Sequence, residues 1–168
     1  MSKRVLIAGI GNIFLGDDGF GVEVVKRLAG RGLPEGVEVK DFGIRGMDLA
    51  YALQDDYALV IFVDATPRGG EPGTVYLIEP EIEEDGEVSL DTHGMDPLKV
   101  IKLSRALGAE PTRTLVVGCE PRVAWTAPSG AVNSSRAAYK TASSAGRTWS
   151  TLPCRADRRP SANPGAWR

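Results

Sequence analysis

The stretch Val5-Leu6-Ile7-Ala8-Gly9-Ile10-Gly11-Asn12-Ile13-Phe14-Leu15-Gly16-Asp17-Asp18-Gly19-Phe20-Gly21-Val22, residues 5 to 22, decides the fold. Its opening apolar run, ending at glycine, is what a central strand buried on both faces requires. A glycine-rich loop follows. Val22, Val24, Val25, Leu28 and Ala29 then keep helical spacing until Gly30, Gly32 and Pro34 stop the helix. Strand, glycine loop and helix in that order open an α/β domain rather than a bundle or a sandwich.

The alternation continues outward from this unit. Val37 to Phe42 alternates like a half-exposed strand, and Met47 to Leu53 can form a short helix. Leu59 to Val63 is a second buried strand, with Asp64 at its carboxyl end. Gly73 to Ile78 reads as a strand introduced by the turn at 69 to 73. Glu79 to Asp91 is acidic and aperiodic, the pattern of a long surface loop. Asp96 then caps a helix with Pro97 at its first position, running to about Leu107 before Gly108, and Thr114 to Val117 is the last strand. The pattern predicts one domain over residues 1–121, with helices packed on a mostly parallel sheet.

With 168 residues, 42% of them hydrophobic, the chain can bury one core. No apolar run is long enough to span a membrane, and the basic start MSKR leads straight into a strand with no signal-peptide core, so the expectation is a cytoplasmic protein without membrane contact. Cys119 and Cys154 have no metal-ligand spacing and are expected to be free thiols. The net charge of −2 conceals a division. Residues 1–120 hold 12 Lys and Arg against 21 Asp and Glu, and residues 121–168 hold 8 against 1. The acidic body has no basic face, which argues against a nucleic-acid partner.

Ligands of open α/β sheets collect at the carboxyl ends of the strands. Three acidic or imidazole groups meet that condition: Asp18 in the loop after the first strand, Asp64 at the end of the 59–63 strand, and His93 in the loop entering the 97–107 helix. Two carboxylates and one imidazole suit a borderline divalent ion such as nickel or zinc. Such an ion polarises a carbonyl and lowers the pKa of a bound water, so hydrolysis needs no serine or cysteine nucleophile. Each residue also has an ordinary structural reading. Asp18 could cap the helix that follows, Asp64 could close a turn, and His93 could be a plain loop histidine. Gly9-Ile10-Gly11 invites a dinucleotide reading, but the third glycine would fall at position 14, where this chain has Phe, and Asp17 and Asp18 would repel a pyrophosphate.

The segment GIGNIFLGDDGFGVEVV resembles the N-terminal signature of the hydrogenase maturation proteases, in which GxGN is followed six residues after the Asn by an acidic metal ligand. Counting from Asn12 selects Asp18 rather than Asp17. Ile61-Phe62-Val63-Asp64-Ala65 is similar to the family's strand ending in a second acidic ligand, and Thr92-His93-Gly94-Met95 to its histidine segment ahead of a helix. Asp41 to Leu49 looks like the loop that helps form the substrate cleft, and the likeness runs over residues 3 to 121. The resemblance implies a three-layer, phosphorylase/hydrolase-like fold with a twisted sheet of about five strands. It implies an endopeptidase that removes the C-terminal extension of the nickel-loaded [NiFe] hydrogenase large subunit. Asp18, Asp64 and His93 would be the catalytic and metal-sensing set, and Asn12, Gly43, Ile44, Arg45, Gly46 and Met47 would orient the substrate tail. The nickel would be borne by the substrate, with zinc or another divalent ion able to substitute, and the partner would be the large-subunit precursor. Two alternatives stay open: a nucleotide-binding α/β enzyme, and an inactive or binding-only relative.

The second alternative arises from residues 122–168. The family continues into a long amphipathic helix, whereas this stretch is basic and rich in Ser, Ala, Arg and Pro, with Val123, Val132 and Leu152 as its only aliphatics beyond alanine. Such a composition cannot bury enough apolar area to offset its ordering entropy, so disorder is expected. A packed terminal helix buries about five large side chains at roughly 1.5 to 3 kcal/mol each, against a total stability of about 5 to 15 kcal/mol. A monomer lacking it should expose one apolar sheet face and be marginally stable or prone to self-association. Limited proteolysis should therefore trim the chain back toward residue 121 with little change in its thermal melt. A resistant tail whose removal unfolds the protein would show that it packs.

Overall fold

The computed structural model describes residues 4–80, 96–109 and 113–122, and residues 139–141 as backbone. The opening run forms strand β1 (Val5–Ile10), followed by a 3₁₀ turn (Gly16–Gly19) and helix α1 (Phe20–Ala29). Then come β2 (Val37–Gly43), α2 (Gly46–Ala52), β3 (Leu59–Ala65), β4 (Val75–Pro80), α3 (Pro97–Ala106), β5 (Thr114–Cys119) and β6 (Tyr139–Thr141). Gly30 ends α1. The expected cap of α3 forms, with the Asp96 carboxylate accepting the Leu98 N–H at 2.9 Å and Pro97 in the first turn. Asp18, by contrast, caps nothing: the residue before α1 is Gly19, with no side-chain hydrogen bond.

The strands lie in the order β2-β1-β3-β5-β4-β6. β2, β1, β3 and β5 are parallel neighbours, while β4 runs antiparallel to β5 and β6 antiparallel to β4. The reversal of β4 follows from its connection. A parallel crossover takes a dozen or more residues and usually a helix, and the link at 66–74 has neither. The expected mostly parallel sheet is present, with its antiparallel members at one side. Of the basic tail, Arg122 and the backbone of Tyr139–Thr141 are described; these last three residues pair with β4 as a strand where composition predicts disorder, and the rest of the tail, Cys154 included, lies outside the described residues.

Two helices cover one face. Leu6, Ala8 and Ile10 of β1, Val60 and Phe62 of β3, Val116 of β5 and Ile78 of β4 pack with Leu49, Ala50 and Leu53 beside α2 and with Val100 and Ile101 of α3. α1 lies on the other face, over β1 to β3. It comes close because Gly9 lacks a side chain: a Cβ there would run into Val25 and the Gly21 carbonyl. Among the described elements no helix lies over β4 and β5 on that side, and Val75 and Leu77 are more than half exposed.

Chemical denaturation should register this asymmetry. Phe62→Ala, fully buried under α2 and α3, should cost about 3 to 5 kcal/mol, whereas Leu77→Ser should cost about 0.5 kcal/mol or less. Equal losses would mean that the β4 face is packed.

Candidate active site

Chain order places the site. From β1 the chain moves to β2 on one side through α1, then returns past β1 to β3 through α2 on the opposite face. The direction of winding thus reverses between β1 and β3, which opens a crevice outside their carboxyl ends. Asp18 belongs to the loop leaving β1, and Asp64 is the penultimate residue of β3.

Close packing shapes the first loop. Gly11 has φ of 126°, and a Cβ there would collide with the Asp18 carbonyl, so the loop folds back on the 3₁₀ turn only with glycine at this position. Gly21 likewise sits against the carbonyls of Val63 and Ile10, which brings the start of α1 onto the ends of β1 and β3. These glycines serve packing rather than phosphate approach. Asp18 Oδ2 accepts the Asn12 N–H at 2.8 Å, and Asn12 Oδ1 accepts the Phe14 N–H at 3.0 Å, so Asn12 shapes its own loop.

Asp64 is only 9% exposed. Burial pushes its carboxyl well above the usual range, the neighbouring Asp18 charge adds to this, the Ala65 N–H opposes it, and Asp96 raises it again. Among the described residues no Lys or Arg forms an ion pair with Asp18 or Asp64. A buried carboxylate with acidic neighbours binds either a proton or a metal cation strongly, so this donor pair fits a divalent ion. His93 lies outside the described residues. Among those described, no three His, Cys, Asp or Glu side chains gather into a metal-holding group.

The 43–47 loop borders the same edge. Gly43 has φ of 54°, and its carbonyl accepts the Gly11 N–H at 3.0 Å, tying the ends of β1 and β2 together. Arg45 folds back along its own loop: its guanidinium donates to the Phe42 and Asp41 carbonyls and lies 3.9 Å from Asp48, so it holds the loop in shape. Gly46 begins α2. Ile44 (65% exposed) and Met47 point outward, as do Ile13 and Phe14 (88% exposed) on the neighbouring loop. Together they give the crevice an apolar rim.

Glu120 was not singled out by the sequence as a site residue. It is 6% exposed, and its carboxylate accepts the N–H groups of Arg68 at 2.8 Å, Gly69 at 3.1 Å and Gly70 at 3.1 Å, and the Tyr76 hydroxyl at 2.7 Å. Burial alone would raise its pKa, but Tyr76 and the three N–H groups outweigh it, so the net shift is downward. An isolated Glu closing the apolar strand at Gly118-Cys119-Glu120-Pro121 was the available signal. The Cys119 thiol is buried, forms no disulfide, and lies 3.8 Å from the Glu120 carbonyl it donates to.

A family model described as HycI, hydrogenase maturation protease, matches residues 22–141. The chain belongs to the hydrogenase maturation protease family. A protein of Methanocaldococcus jannaschii placed among the hydrogenase maturation proteases is 38% identical over 120 residues, 70% of this chain and 76% of its own. The hydrogenase expression/formation protein HupD of Rhodobacter capsulatus is 36% identical over 124 residues, 71% of this chain, and the match spans 58% of HupD. Among solved structures, the hydrogenase maturating endopeptidase HybD of Escherichia coli superposes with a TM-score of 0.56 at 30% identity, covering 71% of this chain and 75% of HybD. The three-layer fold is therefore that of the family. Its members are peptide hydrolases. The family-model match opens at Val22, so it takes in Asp64 and His93, and Asp18 precedes it.

The Glu120 cluster has a pH signature. The Tyr76 phenol is pushed up to about 12, by burial first and then by the Glu120 carboxylate. A raised pKa stabilises the fold fully below the ordinary value of 10 and loses that contribution as pH climbs toward 12. The lowered Glu120 pKa works in the opposite sense, stabilising above its ordinary value of 4.5 and failing as pH falls through the folded value. Ultraviolet titration of tyrosinate should lose a component near pH 12 in Tyr76→Phe, and the stability gap between wild type and Glu120→Gln should narrow in acid. Identical titrations in wild type and Tyr76→Phe would refute the assignment.

Proposed function

We propose that this chain is an endopeptidase that removes the C-terminal extension of the nickel-loaded [NiFe] hydrogenase large subunit. The observation that carries this reading is the pair Asp18 and Asp64 at the β1/β3 crevice, one of them buried without a cationic partner, in a chain of the hydrogenase maturation protease family. Nickel belongs to the substrate, and zinc or another divalent ion can stand in for it. Asp18 and Asp64 supply two oxygen donors, and His93 supplies the imidazole. Held by these residues, such an ion would supply Lewis-acid chemistry toward a carbonyl or a bound water.

The chain's own residues do the remaining work. Asn12 fixes the Asp18 carboxylate through its N–H. Gly43, at φ 54°, lets the 43–47 loop turn, Arg45 keeps its shape, and Ile44 and Met47 with Phe14 receive apolar side chains of the substrate tail. Burial at Asp64 excludes competing water and strengthens its hold on positive charge. The enzyme acts in the cytoplasm on a protein substrate, as a monomer that its altered C-terminus exposes to self-association, with neither membrane nor nucleic acid involved.

Incubation with nickel-loaded precursor should yield a smaller large subunit, read by gel shift or mass. Asp18→Asn, Asp64→Asn and His93→Gln should each abolish the shift while leaving the fold intact, and Asp17→Asn should be milder than Asp18→Asn. Metal-free precursor in chelator should stay uncut, and serine and cysteine protease inhibitors should have no effect. Wild-type processing by all three variants, or efficient cutting without metal, would reject the reading.

A further inference from the structure

Residues 120–122 touch both the segment that follows Asp64 and the turn that bears Asp18. On one side, the Glu120 carboxylate gathers the N–H groups of Arg68, Gly69 and Gly70 and the Tyr76 hydroxyl. The Glu120 backbone adds two more bonds to the same segment: its N–H donates to the Thr74 carbonyl and its carbonyl accepts the Gly73 N–H, each at 2.8 Å. This segment leaves β3 directly after Asp64 and Ala65. It is pinned further by the Thr66 N–H on the Cys119 carbonyl at 2.8 Å and by Gly118, where a side chain would meet Thr66. On the other side, the Arg122 N–H donates to Asp17 Oδ2 at 2.8 Å, one residue from Asp18. Pro121 joins the two ends with a fixed φ and no N–H of its own.

We infer that residues 120–122 form a brace between the Asp64 strand end and the Asp18 turn, with Glu120 and Asp17 as positioning residues that set the separation of the two site carboxylates. The inference rests on the proposed metal-sensing role of Asp18 and Asp64. A simple turn closure would need one or two acceptor contacts, whereas Glu120 collects four donors on a buried anion, the stronger kind of hydrogen bond. Glutamine would not replace it, because its amide group turns N–H donors toward N–H donors. Neither positioning residue touches the reacting atoms. Each acts through the loop it holds, and displacements of about 1 Å in such sites carry large penalties.

The test uses the full chain and nickel(II) alone, titrated calorimetrically into wild type, Glu120→Gln, Asp17→Asn and the double variant. Each single variant should raise Kd by about 10- to 100-fold at unchanged stoichiometry, the usual consequence of removing a group that orients a ligand. A purely structural loss would instead lower the stoichiometry and leave Kd alone. The double variant should lie close to the weaker single variant, since a brace cut at either end is already released. Amide hydrogen exchange gives an independent reading: Arg68, Gly69 and Gly70 should lose protection in Glu120→Gln and keep it in Asp17→Asn. If Glu120→Gln does not fold, Tyr76→Phe, which removes one of the four donors, should raise Kd in the same direction by a smaller step. Unchanged Kd in the singles, independent multiplying effects in the double, or retained protection at 68–70 in Glu120→Gln would overturn the brace. A wild-type chain that binds no nickel(II) would overturn the metal-sensing assignment instead, and the exchange pattern would then judge the brace by itself.

Discussion

A carboxylate buried at the end of β3 beside a second carboxylate is the constraint around which the carboxyl edge of the sheet is organised. Taking an ion such as Asp64 out of water costs on the order of several kcal/mol even after relaxation, and Asp18 and Asp96 add repulsion to that cost. The hydrogen bond from the Ala65 N–H opposes both effects at Asp64. A site of this kind persists only if the surroundings cannot relax by moving the charges apart. The close approaches at Gly11, Gly21 and Gly118 serve that purpose, because each presses a loop or helix end onto a strand end with no side chain to yield.

The opposite end of the same sheet shows that the fold can neutralise a carboxylate where nothing else is required of it. Glu38, at the start of β2, accepts from Arg4 at 2.6 Å, Lys40 at 3.0 Å and the Tyr57 hydroxyl at 3.1 Å. Hydrogen bonds from Arg4 and then Lys40, against some burial, hold its pKa down to about 2. Arg4 also stacks over the Tyr57 ring at 4.5 Å. One end of the sheet is therefore closed by compensated charge, and the other keeps negative potential facing an apolar rim. That polarity suits a substrate that brings a cation on an apolar tail.

How much of this was legible depended on whether the information was local. The β1 strand, the stop of α1 at Gly30 and the Asp96 cap with Pro97 are written in short runs of residue type, and all three form as read. The seat of β4 beside β5 could not be read, since it depends on a pairing between segments some forty residues apart. Asp18 as a helix cap was a sound local expectation that lost to Gly19, because the 3₁₀ turn carries the acidic pair out of the capping position. Glu120 was invisible as a clamp for the same reason as β4: its donors lie roughly fifty residues earlier in the chain.

The acidic doublet at 17 and 18 illustrates how local geometry divides labour between like residues. From composition the two are interchangeable, and both precede a helix. In a 3₁₀ turn successive side chains leave the axis about 120° apart, so two adjacent carboxylates cannot face one crevice. Asp18 turns inward, where its charge is felt by Asp64 and its oxygen is held by the Asn12 N–H. Asp17 is thereby directed outward, where the Arg122 N–H meets it. The same turn that commits one acid to the crevice thus lets the other tether the chain as it leaves β5.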